Sequence, residues 1–225
     1  MPAFPVELDR VAHKALEFVP TGATLGLGTG HAATAFLHAL GAANRNVRGV
    51  PTSQASADLA KELGIPLLSL DDTPSLDVDF DGADEVDPAG NLIKGYGGAL
   101  VREKIVAAAS RQFIVLVGPE KIVAQLGQRG KLPVEVVPFA LGPCLRSLPG
   151  LGCEPVLRMA DGKPFVTDNG NVILDCRIAP LDDPHRLDAA LRAIPGVVGT
   201  GLFLGMASMI LVGHADSVEV RTIAR

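Results

Sequence analysis

Along the first half of the chain, short apolar runs alternate with longer stretches in which apolar residues recur every three or four positions. Residues 6–19 carry the spacing of an amphipathic helix, and the apolar run at 23–28 that follows reads as a buried strand. Residues 31–40 predict a helix, 47–52 a strand, and 53–63 a helix stopped by Gly64 and Pro66. Strand, helix and strand then recur at 78–81, 99–109 and 113–117. Strands interleaved with helices of this length predict an α/β fold built on a doubly wound, mostly parallel, Rossmann-like sheet.

The texture changes after about residue 130. LPVEVVPFA reads as a strand with prolines at both ends, residues 141–148 as a short helix, and CEPVLRM and KPFVTDNGNVILDC as β-rich runs. A helix at 183–193 and the run GVVGTGLF complete the set. Asn169 and Gly170 sit between two β-rich runs, and both residue types tolerate positive φ, which signals a hairpin. The order β-α-β-β-α-β predicts a second, smaller α+β domain of ferredoxin-like type. Strands at 209–212 and 218–222 are expected to return to the first domain. The expected division is therefore 1–130 plus 205–225 for the large domain and 131–204 for the small one.

Composition narrows the function classes. The 225 residues are 48% hydrophobic, enough for a sizeable core. The net charge of −5, the absence of Trp, an aromatic content of 4% and the lack of a basic stripe argue against nucleic acid. Cys144, Cys153 and Cys176 form no CxxC pair, so they read as free thiols in a reducing compartment. No signal-peptide pattern opens the chain, and the longest apolar stretch, GLFLGMASMILVG, is shorter than the roughly 18 residues of a membrane span. A soluble, cytoplasmic protein with no membrane partner is expected.

The densest chemistry lies in DGADEVDPAGNLIKGYGGALVRE, residues 81–103. Asp81 and Asp84 fall just past the end of a strand, where open α/β sheets bind ligands. Lys94 precedes a glycine turn, a place from which an ammonium can hold a phosphate or steady an oxyanion. Glu103 shares a helix face with Ala99, Leu100, Val106 and Ala107. A carboxylate on an apolar face is either ion-paired or a general base, and both readings stand at this level. Upstream, GLGTGHAA joins a strand to a helix, as an anion cradle or simply a tight turn. It is not a dinucleotide fingerprint, because His31 occupies the third glycine position and the next strand ends in Pro51, Thr52 and Ser53. Asp77, Asp79, Asp81 and Gly82 open like a calcium loop, but Pro88 stands where the twelfth-position Glu belongs. Asp87-Pro88 followed by Gly90 reads as a turn, and no His, Ser and Asp fall at triad-like spacing.

In sequence order, GLGTG, VPTS, DGADEVD, KGYGGALVREK, LPVEVVPFA, FVTDNGNVILD and IPGVVGTGLF resemble the type A ribose-5-phosphate isomerases nearly end to end. The resemblance implies interconversion of ribose 5-phosphate and ribulose 5-phosphate through a cis-enediolate, without cofactor or metal, by a homodimer or larger homo-oligomer. It implies Glu103 as the base, Asp81 and Asp84 as carboxylates for ring opening and hydroxyl protons, and Lys94 as the cation at the enediolate oxygen. It implies further substrate contacts at Thr29, Gly30, His31, Ala32, Gly82, Ala83, Gly95, Tyr96, Gly97 and Lys121. The family pattern in the first loop is G-T-G-S-T, so His31 and Ala32 replace two hydroxyls. Glu120 precedes Lys121 where a Ser is common, and Tyr96 replaces a usual glycine. A non-catalytic sugar-phosphate sensor and a CoA-transferase-like enzyme are the alternatives on similar sheets. The sensor would need a helix-turn-helix for which the chain has no spare segment.

Overall fold

The computed structural model describes residues 4–73 and 75–223. The apolar runs up to Val117, joined by the last two strands of the chain, form one six-stranded sheet, in the spatial order Val218–Thr222, Met209–Gly213, Ser110–Val117, Leu76–Gly82, Thr24–Leu27, Arg48–Pro51. Every neighbouring pair is parallel except the terminal hairpin of Met209–Gly213 with Val218–Thr222. Helices Val6–Ala15, His31–Ala42 and Gln54–Glu62 belong to the same unit. Their apolar faces join the sheet residues in a core where Phe36 stacks on Phe80 at 4.4 Å between ring centroids. The chain leaves Thr24–Leu27 towards one edge of the sheet and leaves Leu76–Gly82 towards the other. Between these two strands lies the switch point, whose carboxyl end is the ligand crevice of doubly wound sheets.

The second unit is a four-stranded antiparallel sheet in the order Val197–Thr200, Lys131–Val136, Val172–Arg177, Glu154–Leu157. With helices Leu141–Ser147 and Pro184–Arg192 this is the β-α-β-β-α-β arrangement expected from the second half. Leu132, Val134, Leu174, Cys176, Leu148 and Leu191 belong to its core. A three-stranded sheet of Leu202–Phe203, Leu92–Ile93 and Glu85–Val86 completes the unit.

The units do not divide at residue 130. One comprises Met1–Ala83, Arg102–Ile122 and Gly205–Arg225, the other Asp84–Val101 and Val123–Leu204. Pairing explains the displacement: Leu92–Ile93 is bound to Leu202–Phe203, and the Val123 N–H donates to Val86 O at 2.9 Å. Two expected strands also break. The strand read over 132–140 ends at Val136, because Pro138 lacks a donor and opens a 3₁₀ turn, Pro138–Ala140. GVVGTGLF splits at Gly201, whose N–H donates to Pro133 O while its carbonyl accepts the Lys94 N–H. Finally, Asp161 and Gly162, both at positive φ, turn a short hairpin between Met159–Ala160 and Lys163–Pro164, an Asp-Gly signal the β-rich reading passed over.

Candidate active site

In the first unit, two adjacent strands fit together side chain by side chain. Asp77, Asp79 and Asp81 occupy alternate positions of Leu76–Gly82, so all three point to one face. Asp77 accepts both the N–H and the hydroxyl of Thr24, at 2.8 and 3.0 Å. These bonds, the backbone one foremost, hold its carboxyl below the usual carboxylate range. The Asp79 carboxylate lies over Gly26, and a β-carbon there would approach Asp79 Oδ1 and Val106 Cγ1 to 2.2 and 2.6 Å. The Asp81 carboxylate lies over Gly28 in the same way. The spacing of GLG is thus set by DVDFD: each glycine makes room for a carboxylate on the next strand. The aspartates that resembled the opening of a calcium loop are a strand ladder.

Asp81 is fully buried at the carboxyl end of its strand. Its Oδ1 accepts the Thr29 N–H at 3.0 Å and the Gly82 N–H at 2.7 Å, which fixes the position of that oxygen. The Thr29 hydroxyl lies among three others, 2.7 Å from Thr52 Oγ1, 2.8 Å from Ser53 Oγ and 3.0 Å from Ser56 Oγ. Ser56 Oγ also donates to Gly28 O at 2.6 Å, and Ser53 caps helix Gln54–Glu62 by accepting the Ser56 N–H. VPTSQAS is therefore the support that holds the glycine loop, and Ser56 is a member that sequence reasoning missed. Gly30, at φ 103°, precedes helix His31–Ala42 with no side-chain cap among the described residues. Such a start presents backbone N–H groups and the positive end of the helix dipole. His31 is exposed there, and Ala32 is buried, 3.6 Å from where a β-carbon on Gly82 would lie.

Glu103 stands in the first turn of Leu100–Ala109 and is 3% exposed. Val106, one turn on, is the residue that packs over Gly26, so the same glycine admits both Asp79 and this helix. Lys121 ends the 3₁₀ turn Pro119–Lys121, half-buried, and the carboxylate of Glu120 folds back over Gly118.

The second unit holds Asp84, Lys94 and the glycine turn. Asp84 precedes the hairpin of Glu85–Val86 and Leu92–Ile93, and its Oδ2 accepts the Tyr96 N–H at 3.0 Å. As read from the sequence, residues 87–91 form the turn: Asp87 Oδ1 accepts the Ala89 and Asn91 N–H groups. Lys94 is 2% exposed, with its ammonium 5.5 Å from the centre of the Phe203 ring. A buried ammonium over an aromatic face is held by the ring quadrupole while its remaining donors stay directional. Gly95 and Gly98 take positive φ, and the Gly98 N–H closes the turn on Gly95 O at 3.1 Å. Tyr96, between them, does not take a positive φ. Its hydroxyl donates to Lys131 O, its ring lies under the Lys131 ammonium at 4.6 Å, and burial followed by the charges of Asp84 and Glu85 raises its phenol.

The family model for ribose 5-phosphate isomerase A (phosphoriboisomerase A) matches residues 48–217. The chain belongs to this family. It is 53% identical over 215 residues to ribose-5-phosphate isomerase A of Roseiflexus castenholzii, covering 93% of this chain and 92% of that one. The Thermosynechococcus vestitus protein of the same name is 50% identical over 211 residues, covering 91% and 89%. Among solved structures, ribose 5-phosphate isomerase A from Methanocaldococcus jannaschii superposes with a TM-score of 0.90 at 39% identity, covering 96% and 98%. A D-ribose-5-phosphate isomerase in complex with phospho-erythronic acid reaches 0.92 at 38% identity, covering 98% and 100%.

Within this family frame, each unit places its share of the residues by internal bonds. Thr29, Asp81 and Gly82 are joined by hydrogen bonds in one, and Asp84 and Tyr96 in the other. The sequence reading missed Glu85, which is fully buried and accepts the Gly127 and Arg129 N–H groups at 2.6 and 2.9 Å. Its neighbours Asp84 and Asp87 drew the attention, and nothing local to DGADEVD sets Glu85 apart from the other carboxylates. It missed Arg158 and Phe203 for another reason: each lies more than sixty residues along the chain from the turn it touches. Among the described residues no three His, Cys, Asp or Glu side chains gather into a metal-ligand set, and no helix is long and apolar enough to cross a membrane.

Proposed function

We propose that this chain interconverts D-ribose 5-phosphate and D-ribulose 5-phosphate by proton transfer through a cis-enediolate. The observation that carries the reading is Glu103, a buried carboxylate at a helix start, in a chain that belongs to the ribose 5-phosphate isomerase A family. Glu103 removes the proton from carbon 2 of the open-chain aldose. The electron pair forms the carbon 1–carbon 2 double bond, and charge builds on the carbon 1 oxygen. Glu103 then returns the proton to carbon 1, leaving the ketone at carbon 2. Lys94, already desolvated, supplies positive charge to the enediolate oxygen. Asp81 and Asp84 accept and return hydroxyl protons, first for ring opening and then between the two oxygens.

Substrate contacts are assigned to Thr29, Gly30, His31 and Ala32, to Gly82 and Ala83, to Gly95, Tyr96 and Gly97, and to Lys121. The exposed helix start after Gly30 suits the phosphate, because its N–H groups need no hydroxyl side chains to bind an anion. The Thr29 hydroxyl has three hydroxyl neighbours within the unit, so its part is to hold the loop. The reaction proceeds without metal or cofactor, in the cytoplasm, as a step of the non-oxidative pentose phosphate pathway, and the working form is a homodimer or larger homo-oligomer. The deciding experiment follows ketose formation from ribose 5-phosphate by the purified full chain in excess EDTA. Conversion at an undiminished rate is expected. No conversion, or strict dependence on added metal, overturns the reading.

A further inference from the structure

One half-buried ion pair of the second unit lies behind the glycine turn, and no role in the reaction proposed above accounts for it. Arg158 follows strand Glu154–Leu157, and its side chain is 11% exposed. Nε and Nη2 donate to the two carboxylate oxygens of Asp175, at 2.9 and 2.5 Å. A bidentate pair of this kind fixes the guanidinium plane. Nη1 remains, and it donates to Gly95 O at 3.0 Å and to Tyr96 O at 3.1 Å. Asp175 is held in turn by Lys131, whose ammonium is 3.1 Å from Oδ2 and lies over the Tyr96 ring. Phe165 closes the other side. The Arg158 guanidinium lies 5.8 Å from its ring centre, and a β-carbon on Gly98 would strike that ring at 2.5 Å.

These contacts have a directional consequence. Arg158 grips the carbonyl ends of two successive peptide units, Gly95–Tyr96 and Tyr96–Gly97. In a trans peptide the N–H points opposite to the C=O. Holding the two carbonyls therefore aims the N–H groups of Tyr96 and Gly97 away from the guanidinium. The Tyr96 N–H so aimed is the donor that Asp84 Oδ2 accepts. The chain of contacts runs from Asp175 through Arg158 and the Gly95–Tyr96 peptide to Asp84. A lysine at 158 could neutralise Asp175 or reach one carbonyl, but a single ammonium lacks the fork that does both.

We propose that Arg158, oriented by Asp175, is a positioning residue for the reaction: it sets the glycine turn and, through the Tyr96 N–H, the carboxylate of Asp84. This rests on the reading of Asp84 as a proton-handling group. The test combines Arg158→Lys and Arg158→Gln with Asp84→Asn in a double-mutant cycle, assayed as ribose 5-phosphate turnover with folding followed by circular dichroism and thermal melting. Each Arg158 variant is expected to lower kcat on the order of 10²-fold, the scale of a misplacement near 1 Å, with a smaller change in KM. Combined with Asp84→Asn, the loss is expected to be little greater than that of Asp84→Asn alone, because both act through one carboxylate. A merely structural arginine would instead add its full loss to the double variant, and that outcome overturns the proposal. So does parental kcat in a folded Arg158→Lys, which decides the matter if the glutamine variant does not fold. Parental activity in Asp84→Asn alone would overturn the role assigned to Asp84, and the positioning proposal would fall with it. An active parent and an impaired Asp84→Asn beside an unimpaired Arg158→Lys would overturn the positioning proposal only.

Discussion

A β-carbon on Gly28 would lie 2.4 Å from the carboxyl carbon of Asp81. Gly28 follows strand Thr24–Leu27, which runs parallel to the strand that carries Asp81, and its N–H donates to Phe80 O at 3.0 Å. Asp81 keeps its position because the neighbouring strand has no side chain to oppose it. The glycine is thereby part of the site, through the volume it leaves empty.

Gly28→Ala is expected to displace Asp81, since the added methyl would meet the Asp81 side chain and also Phe80 O, a backbone atom that cannot swing aside, at 2.5 Å. Stability should fall by about 1–3 kcal/mol, the usual cost of overpacking. At temperatures where the variant is folded, kcat/KM should fall on the order of 10²-fold. Thermal melting and steady-state assay of the same preparation separate the two effects. A folded Gly28→Ala with parental kcat/KM would show that the position of Asp81 does not limit the reaction.

Glu103→Gln keeps the shape of the side chain and removes the base. Turnover should fall by roughly 10²–10⁴-fold, the range attributed to general-base catalysis. KM should move far less, because Gln retains the polar contacts of the bound sugar. Retention of the carbon 2 proton of the substrate, read by exchange with deuterated water, offers a direct check. Near-parental turnover or undiminished exchange would remove Glu103 from the role of base.

The alternation of apolar runs and helix periods made the doubly wound sheet legible, because both periods are local. The β-α-β-β-α-β order of the second unit was legible for the same reason, with Asn169 and Gly170 marking a turn. The unit boundary was not, since it depends on Leu92–Ile93 pairing with Leu202–Phe203, over a hundred residues away. The same distinction runs through the site. Asp81, Asp84, Lys94 and Glu103 lie within 23 residues and announce themselves as a cluster. Arg158 touches the turn at Gly95 and Tyr96 only through the hydrogen-bond register of another sheet, and nothing local to its sequence reveals it. The glycines of GLGTG were legible as glycines but not as to cause, because the carboxylates that require two of them sit some fifty residues away.

His31 is exposed at the first position of its helix, where the family pattern has a hydroxyl. A side chain there acts on a bound anion through the helix end, a contribution of about 0.3–1 kcal/mol when exposed. His31→Ser is therefore expected to change KM for ribose 5-phosphate a few-fold and to leave kcat near parental. Equal KM values would deny His31 any part in phosphate binding, and the backbone N–H groups would then carry the loop's whole contribution.

Glu85 tests how far a buried carboxylate is structural. It sits between Asp84 and the strand residue Val86, yet its two oxygens accept the N–H groups of Gly127 and Arg129. The acceptor pair holds the segment after Val123 against the hairpin, alongside the Val123 N–H to Val86 O bond. Glu85→Gln would turn one acceptor into a donor facing a backbone N–H. Each buried donor left without an acceptor costs about 1–3 kcal/mol, so a loss of that size is expected in urea unfolding. Glu85→Ala should lose more, having no oxygen for either N–H and leaving a cavity. Both variants should keep kcat within a few-fold while folded, in contrast to Asp84→Asn one residue away. A large loss of kcat in a stable Glu85→Gln would move this carboxylate from the scaffold into the chemistry.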